Sequence, residues 1–369
     1  MKPTIHVMRN LILVYLFSIS YGCTHSQVKK AHNAFEVKNG WTDQQIKLIY
    51  DHTKEFANGT EVSFVLLEDG KRHFYGVSRK NDTLKTQENR KKIFEIGSIT
   101  KVFTSTLLAD LVVKNELSLE EPINNHLTVE FKDSTKISFV KLANHTSGLP
   151  RLPSNLNLFF VDQSNPYKNY KEPELKEYLS KNMELNDNEY SYSNLGAGLL
   201  GYVLTQRTSE SYESLLQKRI LNKYNMVNTT TDRSLVLDQL VKGRNEVGHE
   251  VSNWDLGVLV GAGGILSNVQ DLSNFASAQF DSTHHALKLT QKITYSKNKM
   301  RLGLGWHIIR TKSANDLHWH NGGTGGYTSS MALNINHKTG VIILSNVSAF
   351  SSKMGNIDKL CFKLIDTLE

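Results

Sequence analysis

The sequence predicts an α/β protein of the α+β kind: an antiparallel sheet flanked by helices, with an all-helical insert. Three observations predict it. Strand-like alternation occurs early, in Val62-Ser-Phe-Val-Leu-Leu67 and Arg72-His-Phe-Tyr-Gly-Val77, around the hairpin signal Asp69-Gly70. It returns after about residue 260, in 302–309, 327–335 and 341–345. Between about 115 and 260 helical spacings and loops replace it. With 369 residues, 39% hydrophobic and 21% charged, the chain can bury a large core.

The first residues read as an export signal: Lys2 and Arg9, the apolar run Leu11-Ile-Leu-Val-Tyr-Leu-Phe17, then Ser20-Tyr-Gly-Cys23. That run is too short to stay in a bilayer as a spanning helix. The small residue before Cys23 resembles a lipoprotein cleavage box. Cys23 is then the expected lipidation site and 1–22 the signal, with an ordinary signal peptide or an uncleaved anchor as alternatives. The expected location is the periplasm or cell envelope. Residues 23–40 are expected to be a polar tether, and 41–369 the folded domain. Losing Lys2 and Arg9 with the signal lowers the formal charge from +7 to +5. The remaining lysines are scattered, without the basic or aromatic-interleaved stripe of a nucleic-acid binder. Cys23 and Cys361 are the two cysteines, so no disulfide framework follows, and Cys361 falls in an apolar helical pattern as core. No metal-ligand spacing stands out, and neither a metal nor an organic cofactor is expected.

Thr42 and Gln45 form a capping box ahead of Ile46, Ile49, Tyr50 and Phe56 at helical spacing. After the hairpin comes Phe94-Glu-Ile-Gly-Ser-Ile-Thr-Lys101, followed by the apolar run Val102, Phe103, Leu107, Leu108, Leu111 and Val112. In a helix starting near the serine, Ser98 and Lys101 lie one turn apart on one face. A lysine there can take the hydroxyl proton, and the helix N-terminus adds a positive field beside the nucleophile. The Ser-x-x-Lys spacing also occurs at Ser26–Lys29, Ser138–Lys141 and Ser296–Lys299, in a polar segment, an amphipathic segment and a Lys/Asn-rich loop. Only Ser98 has a preceding glycine and a long buried helix behind it.

A helix over 137–143 ends in Asn144-His-Thr-Ser-Gly-Leu-Pro150, where His145 reads as structural for want of a neighbouring acid. Residues 151–171 form a polar, aromatic-rich loop suited to roofing a cleft. Tyr-x-Asn occurs at Tyr167–Asn169, in a loop, and at Tyr192–Asn194, ahead of a small-residue helix. The second places phenol and amide on one rim, where nearby ammonium groups would favour phenol ionisation. Tyr192 alone would serve equally as a buried aromatic at a helix start. Gly261-Ala-Gly-Gly264 reads as a tight turn rather than a nucleotide fingerprint, and Ser267–Gln270 as a second capping box opening a helix over 272–280. His318-Trp-His-Asn-Gly-Gly-Thr-Gly-Gly-Tyr327 joins two strands; its glycines let backbone amides approach a substrate, with His320 facing the nucleophile. A hairpin at His337-Lys-Thr-Gly340 and a helix over 357–368 complete the chain.

Together these segments resemble the serine β-lactamase and penicillin-binding-protein superfamily, in its class C β-lactamase and D-alanyl-D-alanine carboxypeptidase branch. The ordered motifs are Ser98–Lys101, Tyr192–Asn194 and His320–Gly322, and the likeness extends over most of 45–369. It implies that fold and a serine hydrolase acting through an acyl-enzyme at Ser98. Lys101 would be the proton partner, Tyr192 the general base, and Asn194 a contact for the substrate amide. The amides of Ser98 and Gly323 would form the oxyanion hole, with His320, Gly322 and Thr324 binding substrate. Where class C β-lactamases have Lys-Thr-Gly, this chain has His320-Asn-Gly322, closer to carboxypeptidases and family esterases; Lys338-Thr-Gly340 lies one strand too late. The implied substrate is a D-alanyl or peptidoglycan-type peptide, a β-lactam or an ester. A membrane-tethered penicillin-binding sensor without turnover stays open as the non-enzymatic alternative.

Overall fold

The computed structural model describes residues 29–156, 161–186, 189–311 and 314–368. The expected signal segment, with Cys23 and Ser26, lies outside the described residues. The N-terminal part contains β1 (His32–Ala34), α1 (Asp43–Thr53), β2 (Glu61–Glu68), β3 (Lys71–Lys80), β4 (Thr83–Thr86), β5 (Phe94–Glu95) and α2 (Thr100–Val113). A helical segment follows, with α3 (Phe139–Ala143), α4 (Glu172–Glu177), α5 (Asn194–Thr208) and α6 (Tyr212–Leu216). The chain then runs through β6 (Leu266–Ser267), α7 (Val269–Gln279), α8 (His285–Gln291), β7 (Tyr295–Lys297), β8 (Met300–Leu302) and β9 (His307–Arg310). It closes with β10 (Asp316–Gly323), β11 (Thr328–Asn334), β12 (Thr339–Ser345) and α9 (Gly355–Ile365).

Ten strands form one sheet in the order β1-β4-β3-β2-β12-β11-β10-β9-β8-β7, with β5 and β6 paired separately. The chain's two ends meet where β2 pairs antiparallel with β12. Alternation sorts the two faces. Val62, Phe64, Leu66, Val341 and Ile343 pack with residues of α1 and α9, including Ile49, Leu360 and Cys361. Val65, Leu67, Ile342 and Leu344 belong to the larger core with α2, α7 and the helical segment. Helix α2 is buried on every side from Thr100 to Leu111, as its nearly continuous apolar and small-residue run requires.

Local chemistry explains the boundaries. Both halves of the Thr42–Gln45 capping box form at α1. Asp69 and Gly70 take positive φ values of 50° and 73°, the turn whose twist suits a two-residue hairpin. Four expectations need correction. Part of the tether is folded: His32–Ala34 pairs parallel with Thr83–Lys85 at the sheet edge. The apolar stretch 302–309 is two strands, because Gly303 and Gly305 turn the chain and the Gly305 amide donates to Ala143 O at 3.0 Å. The loop at Ser296–Lys299 is mostly hairpin, with β7 paired to β8. Asn268, not Ser267, caps α7, accepting from the Asp271 amide at 2.7 Å, while Ser267 bonds the Thr229 hydroxyl.

Candidate active site

Strand β5 delivers the chain to a 3₁₀ turn, Gly97–Ile99, which runs directly into α2. Ser98 therefore stands at the N-terminal end of a buried helix, with Lys101 one turn along. Lys101 Nζ lies 2.8 Å from Ser98 Oγ and 2.7 Å from Ala262 O, and the residue is 1% exposed. Burial drives its amine well below the ordinary lysine value, and the Arg151 charge adds to that. The Gly261–Gly264 turn is pinned beside it: Thr104 Oγ1 donates to Gly261 O at 2.7 Å and the Ile265 amide donates to Thr100 Oγ1 at 3.2 Å.

The facing wall is the end of β10. Leu317 and Trp319 belong to the α1/α9 core, so alternation turns His318 and His320 to the other face. Asn321 points back, donating to Asp358 Oδ2 on α9 at 2.7 Å. The Thr324 amide donates to Tyr327 O at 2.9 Å, closing the hairpin. Antiparallel alternation then makes Gly323 opposite Thr328 a non-hydrogen-bonded pair, its N–H turned away from β11. That amide faces the nucleophile turn. A Cβ on Gly97, whose φ is +51°, would come within 2.6 Å of Gly323 N, and one on Gly322 within 2.0 Å of Ile96 O. Glycine at both positions is what allows strand and turn to approach. Ser329 Oγ fastens them further, donating to Ile96 O at 2.8 Å.

The third wall is the start of α5. Ser193 caps it, accepting from the Gly196 amide at 2.8 Å, and its own amide donates to His145 Nδ1 at 3.2 Å. Tyr192 lies just before, its ring 4.6 Å from that of His145, with Lys101 Nζ 4.9 Å and Arg151 Cζ 5.2 Å from its centroid. Burial raises the phenol to about 12, against the opposing pull of its hydrogen bond with Ser98 and the Arg151 charge. The expectation of an easily ionised phenol is therefore corrected: desolvation outweighs the neighbouring cations, so the phenol keeps its proton while the amine tends to lose its own. His320 is likewise neutral, held well below the usual histidine range by burial and by His307 and Lys101. Its Nδ1 lies 2.6 Å from Asn321 O, which as an acceptor fixes the Nδ1–H tautomer.

The cleft between these walls is lined by Ser98, Tyr167, Asn194, Trp254, Gly323 and Thr324, among others. Ser98, Lys101, Tyr192, Asn194, His320, Gly322, Gly323 and Thr324 thus converge from three distant parts of the chain. With that geometry, the Beta-lactamase family model matches residues 53–358. The chain belongs to the β-lactamase family. It is 25% identical over 267 residues to a β-lactamase of Pseudomonas fluorescens, covering 67% of this chain and 69% of that one. It is 24% identical over 350 residues to the D-alanyl-D-alanine-carboxypeptidase/endopeptidase AmpH of Escherichia coli K12, covering 85% and 87%. In fold it is similar to a class C β-lactamase from Rhodobacter sphaeroides (TM-score 0.73, 18% identity, 88% and 99% covered). It is also similar to a β-lactamase/D-alanine carboxypeptidase from Pseudomonas syringae (0.71, 19%, 88% and 98%).

As a β-lactamase-family chain it is a serine hydrolase. Of the lookalike motifs, Tyr167–Asn169 brings Tyr167 to the cleft wall, while the second Lys-Thr-Gly and the other Ser-x-x-Lys pairs among the described residues lie elsewhere in the fold. Lys338 is exposed in the β11–β12 turn, at the opposite end of β11 from the catalytic hairpin, roughly 20 Å along a seven-residue strand. Ser138 precedes α3 with its hydroxyl buried and unbonded, and Lys299 sits in the β7–β8 turn. Among the described residues no cluster of His, Cys, Asp and Glu could hold a metal. Cys361 is buried and free.

Sequence reasoning missed three contributors. Tyr167, set aside as a loop residue, is buried at the cleft with its ring 5.4 Å from Trp254. Ala262 acts through its carbonyl, which no side-chain motif reveals. Glu95 on β5 accepts from Asn253 Nδ2 at 2.7 Å and the Trp254 amide at 3.0 Å, securing the segment that carries Trp254 over the cleft. An acid in an otherwise apolar strand was the one available signal.

Proposed function

We propose that this protein is an exported peptidase of the D-alanyl-D-alanine carboxypeptidase type, working through an acyl-enzyme at Ser98. The observation that carries the reading is the buried Lys101 amine 2.8 Å from Ser98 Oγ, electrostatically biased toward its neutral form. A neutral amine can take the hydroxyl proton as Ser98 Oγ attacks the substrate carbonyl. The resulting oxyanion would be held by the Ser98 and Gly323 amides. As the tetrahedral intermediate collapses, Tyr192 would pass a proton to the leaving nitrogen and be replenished from Lys101. Water would then attack the ester, with Lys101 and Tyr192 taking its proton, and Ser98 would leave as the alcohol. Asn194 would bind the substrate amide, and Gly322 and Thr324 would shape the β10 wall.

Two features support placing peptides ahead of β-lactams and esters. His320-Asn-Gly322 stands where class C β-lactamases have Lys-Thr-Gly, and the resemblance there is closer to the carboxypeptidases. The likeness to AmpH extends over 85% of the chain. Membrane tethering through a lipid on Cys23 belongs to the same proposal and rests on the N-terminal sequence; Cys23→Ala should move the protein from the membrane to the soluble fraction. No nucleic-acid partner or cofactor is invoked.

The test is intact-protein mass spectrometry of the mature domain over time with benzylpenicillin, alongside release of D-alanine from an acyl-D-Ala-D-Ala peptide. D-alanine release with a slowly lost penicillin adduct is expected, and both should vanish in Ser98→Ala. Fast drug consumption without peptide cleavage would make the protein a β-lactamase. A permanent adduct without any turnover would make it a sensor.

A further inference from the structure

We propose that Arg151 selects the substrate: its guanidinium takes a carboxylate carried on the acyl portion, beside the wall formed by Tyr192 and Asn194. This rests on the acyl-transfer reading above.

Position comes first. Arg151 immediately follows the Asn144–Pro150 loop, and its carbonyl accepts from the Asn194 amide at 3.0 Å and the Leu195 amide at 3.1 Å. The residue is thereby fixed to the start of α5. Its side chain is exposed, with Cζ 5.2 Å from the centroid of the Tyr192 ring, the ring that Lys101 approaches at 4.9 Å. It lies at the mouth of the catalytic cluster, with solvent access.

Its partners come next. Several arginines of this fold are engaged by acids, Arg219 by Asp110 and Glu116, Arg233 by Asp255, and Arg301 and Arg310 by Asp316, while Arg72 bonds the Asn274 amide oxygen and Arg207 the Glu116 carbonyl. Arg151 has no carboxylate within 4 Å among the described residues. The other basic groups around Tyr192 are poor anion receptors. Lys101 is sealed and committed to Ser98 and Ala262, while His145, His307 and His320 are buried and neutral. The β10 wall offers Gly323, Thr324 and His320, which are polar without net charge. Among the described residues, Arg151 is therefore the solvent-accessible positive charge against the Tyr192 ring, and a planar guanidinium is matched to a carboxylate.

The acyl side follows from Asn194. It lines the cleft next to Arg151 with its side chain also engaged by the Tyr167 hydroxyl, and among the described residues its Oδ1 is buried without a hydrogen-bond partner, an acceptor suited to an amide N–H of the bound acyl group. A substrate whose amide reaches Asn194 brings its neighbouring side chain toward Arg151. The substrate class is thus an acyl donor with an acidic side chain, such as an acidic peptide.

Two matched substrate pairs test this on the mature protein. Carbenicillin differs from benzylpenicillin by one carboxylate on the acyl side chain, and both keep the ring carboxylate. The p-nitrophenyl hemiester of adipate differs from its methyl ester by one acyl-chain charge, with the same leaving group. Second-order acylation constants are measured within each pair at one pH, so any effect of Arg151 on Lys101 cancels in the ratio. The anionic-to-neutral ratio should fall about tenfold or more in Arg151→Gln and recover partly in Arg151→Lys. An unchanged ratio would overturn the assignment, including the case where both members of a pair slow equally, which would place the effect on the ring carboxylate or on Lys101. Failure of the underlying reading looks different: ester turnover would survive Ser98→Ala.

Discussion

Lys101 Nζ and the carbonyl oxygen of Ala262, 161 residues apart in sequence, are 2.7 Å from each other at the base of the cleft. The carbonyl holds the amine against Ser98 Oγ in a setting too dry to favour an ammonium. A lysine so placed is biased toward the free base rather than held as a permanent charge.

The pH profile follows from the sign of that shift. Lys101 must be unprotonated to accept the Ser98 proton, so kcat/KM should fall as pH drops through the lowered amine value, well below the ordinary lysine range. On the alkaline side Tyr192 keeps its proton to about 12, so ionisation of this phenol gives no loss at moderately basic pH. Lys101→Arg keeps a cation but removes the titration, and acylation should drop about 10²–10⁴-fold at all pH values. A variant that stays active with an unaltered acid limb would assign the base elsewhere.

Gly322 has no room for a side chain, since a Cβ would come 2.0 Å from the backbone oxygen of Ile96. Backbone cannot yield as a flexible side chain does, so Gly322→Ala should push β10 off the Gly97–Ile99 turn and spoil the alignment of the Gly323 amide. The expected loss is about 10²–10³ in kcat, the effect of removing one oxyanion donor. Circular dichroism and single-turnover acylation separate this from unfolding. An unchanged kcat in a folded variant would remove Gly323 from the oxyanion hole.

Glu95 secures the cleft's roof without touching Ser98. Glu95→Ala removes the acceptor of the Trp254 amide and one of two acceptors of Asn253 Nδ2, which keeps the Tyr327 hydroxyl at 3.0 Å, at a cost of about 1 kcal/mol. Glu95→Gln keeps a carbonyl oxygen in place. The alanine variant should raise KM more than it lowers kcat, with the glutamine variant close to wild type in both. Equal behaviour of the two variants would count against the roof role.

Legibility of the sequence tracked how local each determinant is. The α1 capping box, the Asp69-Gly70 turn and the Ser98–Lys101 spacing depend on neighbours within four residues, so their patterns are visible in one dimension. The facing of His320 follows from the period of β10. Ala262, Glu95 and Tyr167 act across separations that only folding closes, through a carbonyl, a buried acid and a loop aromatic without periodicity. The edge strand β1 has three residues, all exposed, and so carries no hydrophobic pattern to read. The Tyr192 phenol departs from expectation for an energetic reason: nearby cations are legible in sequence, whereas the desolvation that outweighs them is a property of the packed site.

Behind the catalytic strand, Asp358 on α9 accepts from Asn321 Nδ2 at 2.7 Å, and Asn321 in turn presents its carbonyl to His320 Nδ1. Part of the residue reaches solvent, yet Oδ1 of its carboxyl is sealed with no close hydrogen-bond partner among the described residues, and burial raises its pKa from 3.8 to about 6 against the opposing pull of Ser330 and Asn321. The nearby Cys361 thiol is pushed up to about 12 and stays silent in this range. An acid whose folded value is raised binds its proton more tightly in the native state. Its penalty is absent below the unfolded value and grows as pH rises from about 4 to 6. A shift of this size corresponds to roughly 3 kcal/mol. Asp51 and Asp316, lowered to about 2 by Lys47 and by Arg301 foremost, titrate below that window and are common to both proteins in a comparison. Denaturant midpoints of wild type and Asp358→Asn should therefore diverge between pH 4 and 7, the variant gaining relative stability as pH rises. Because an asparagine can still accept from Asn321, Ser98 acylation should be kept. A stability difference that is flat across the window would mean the carboxyl is hydrated and its link through Asn321 to His320 is not a buried one.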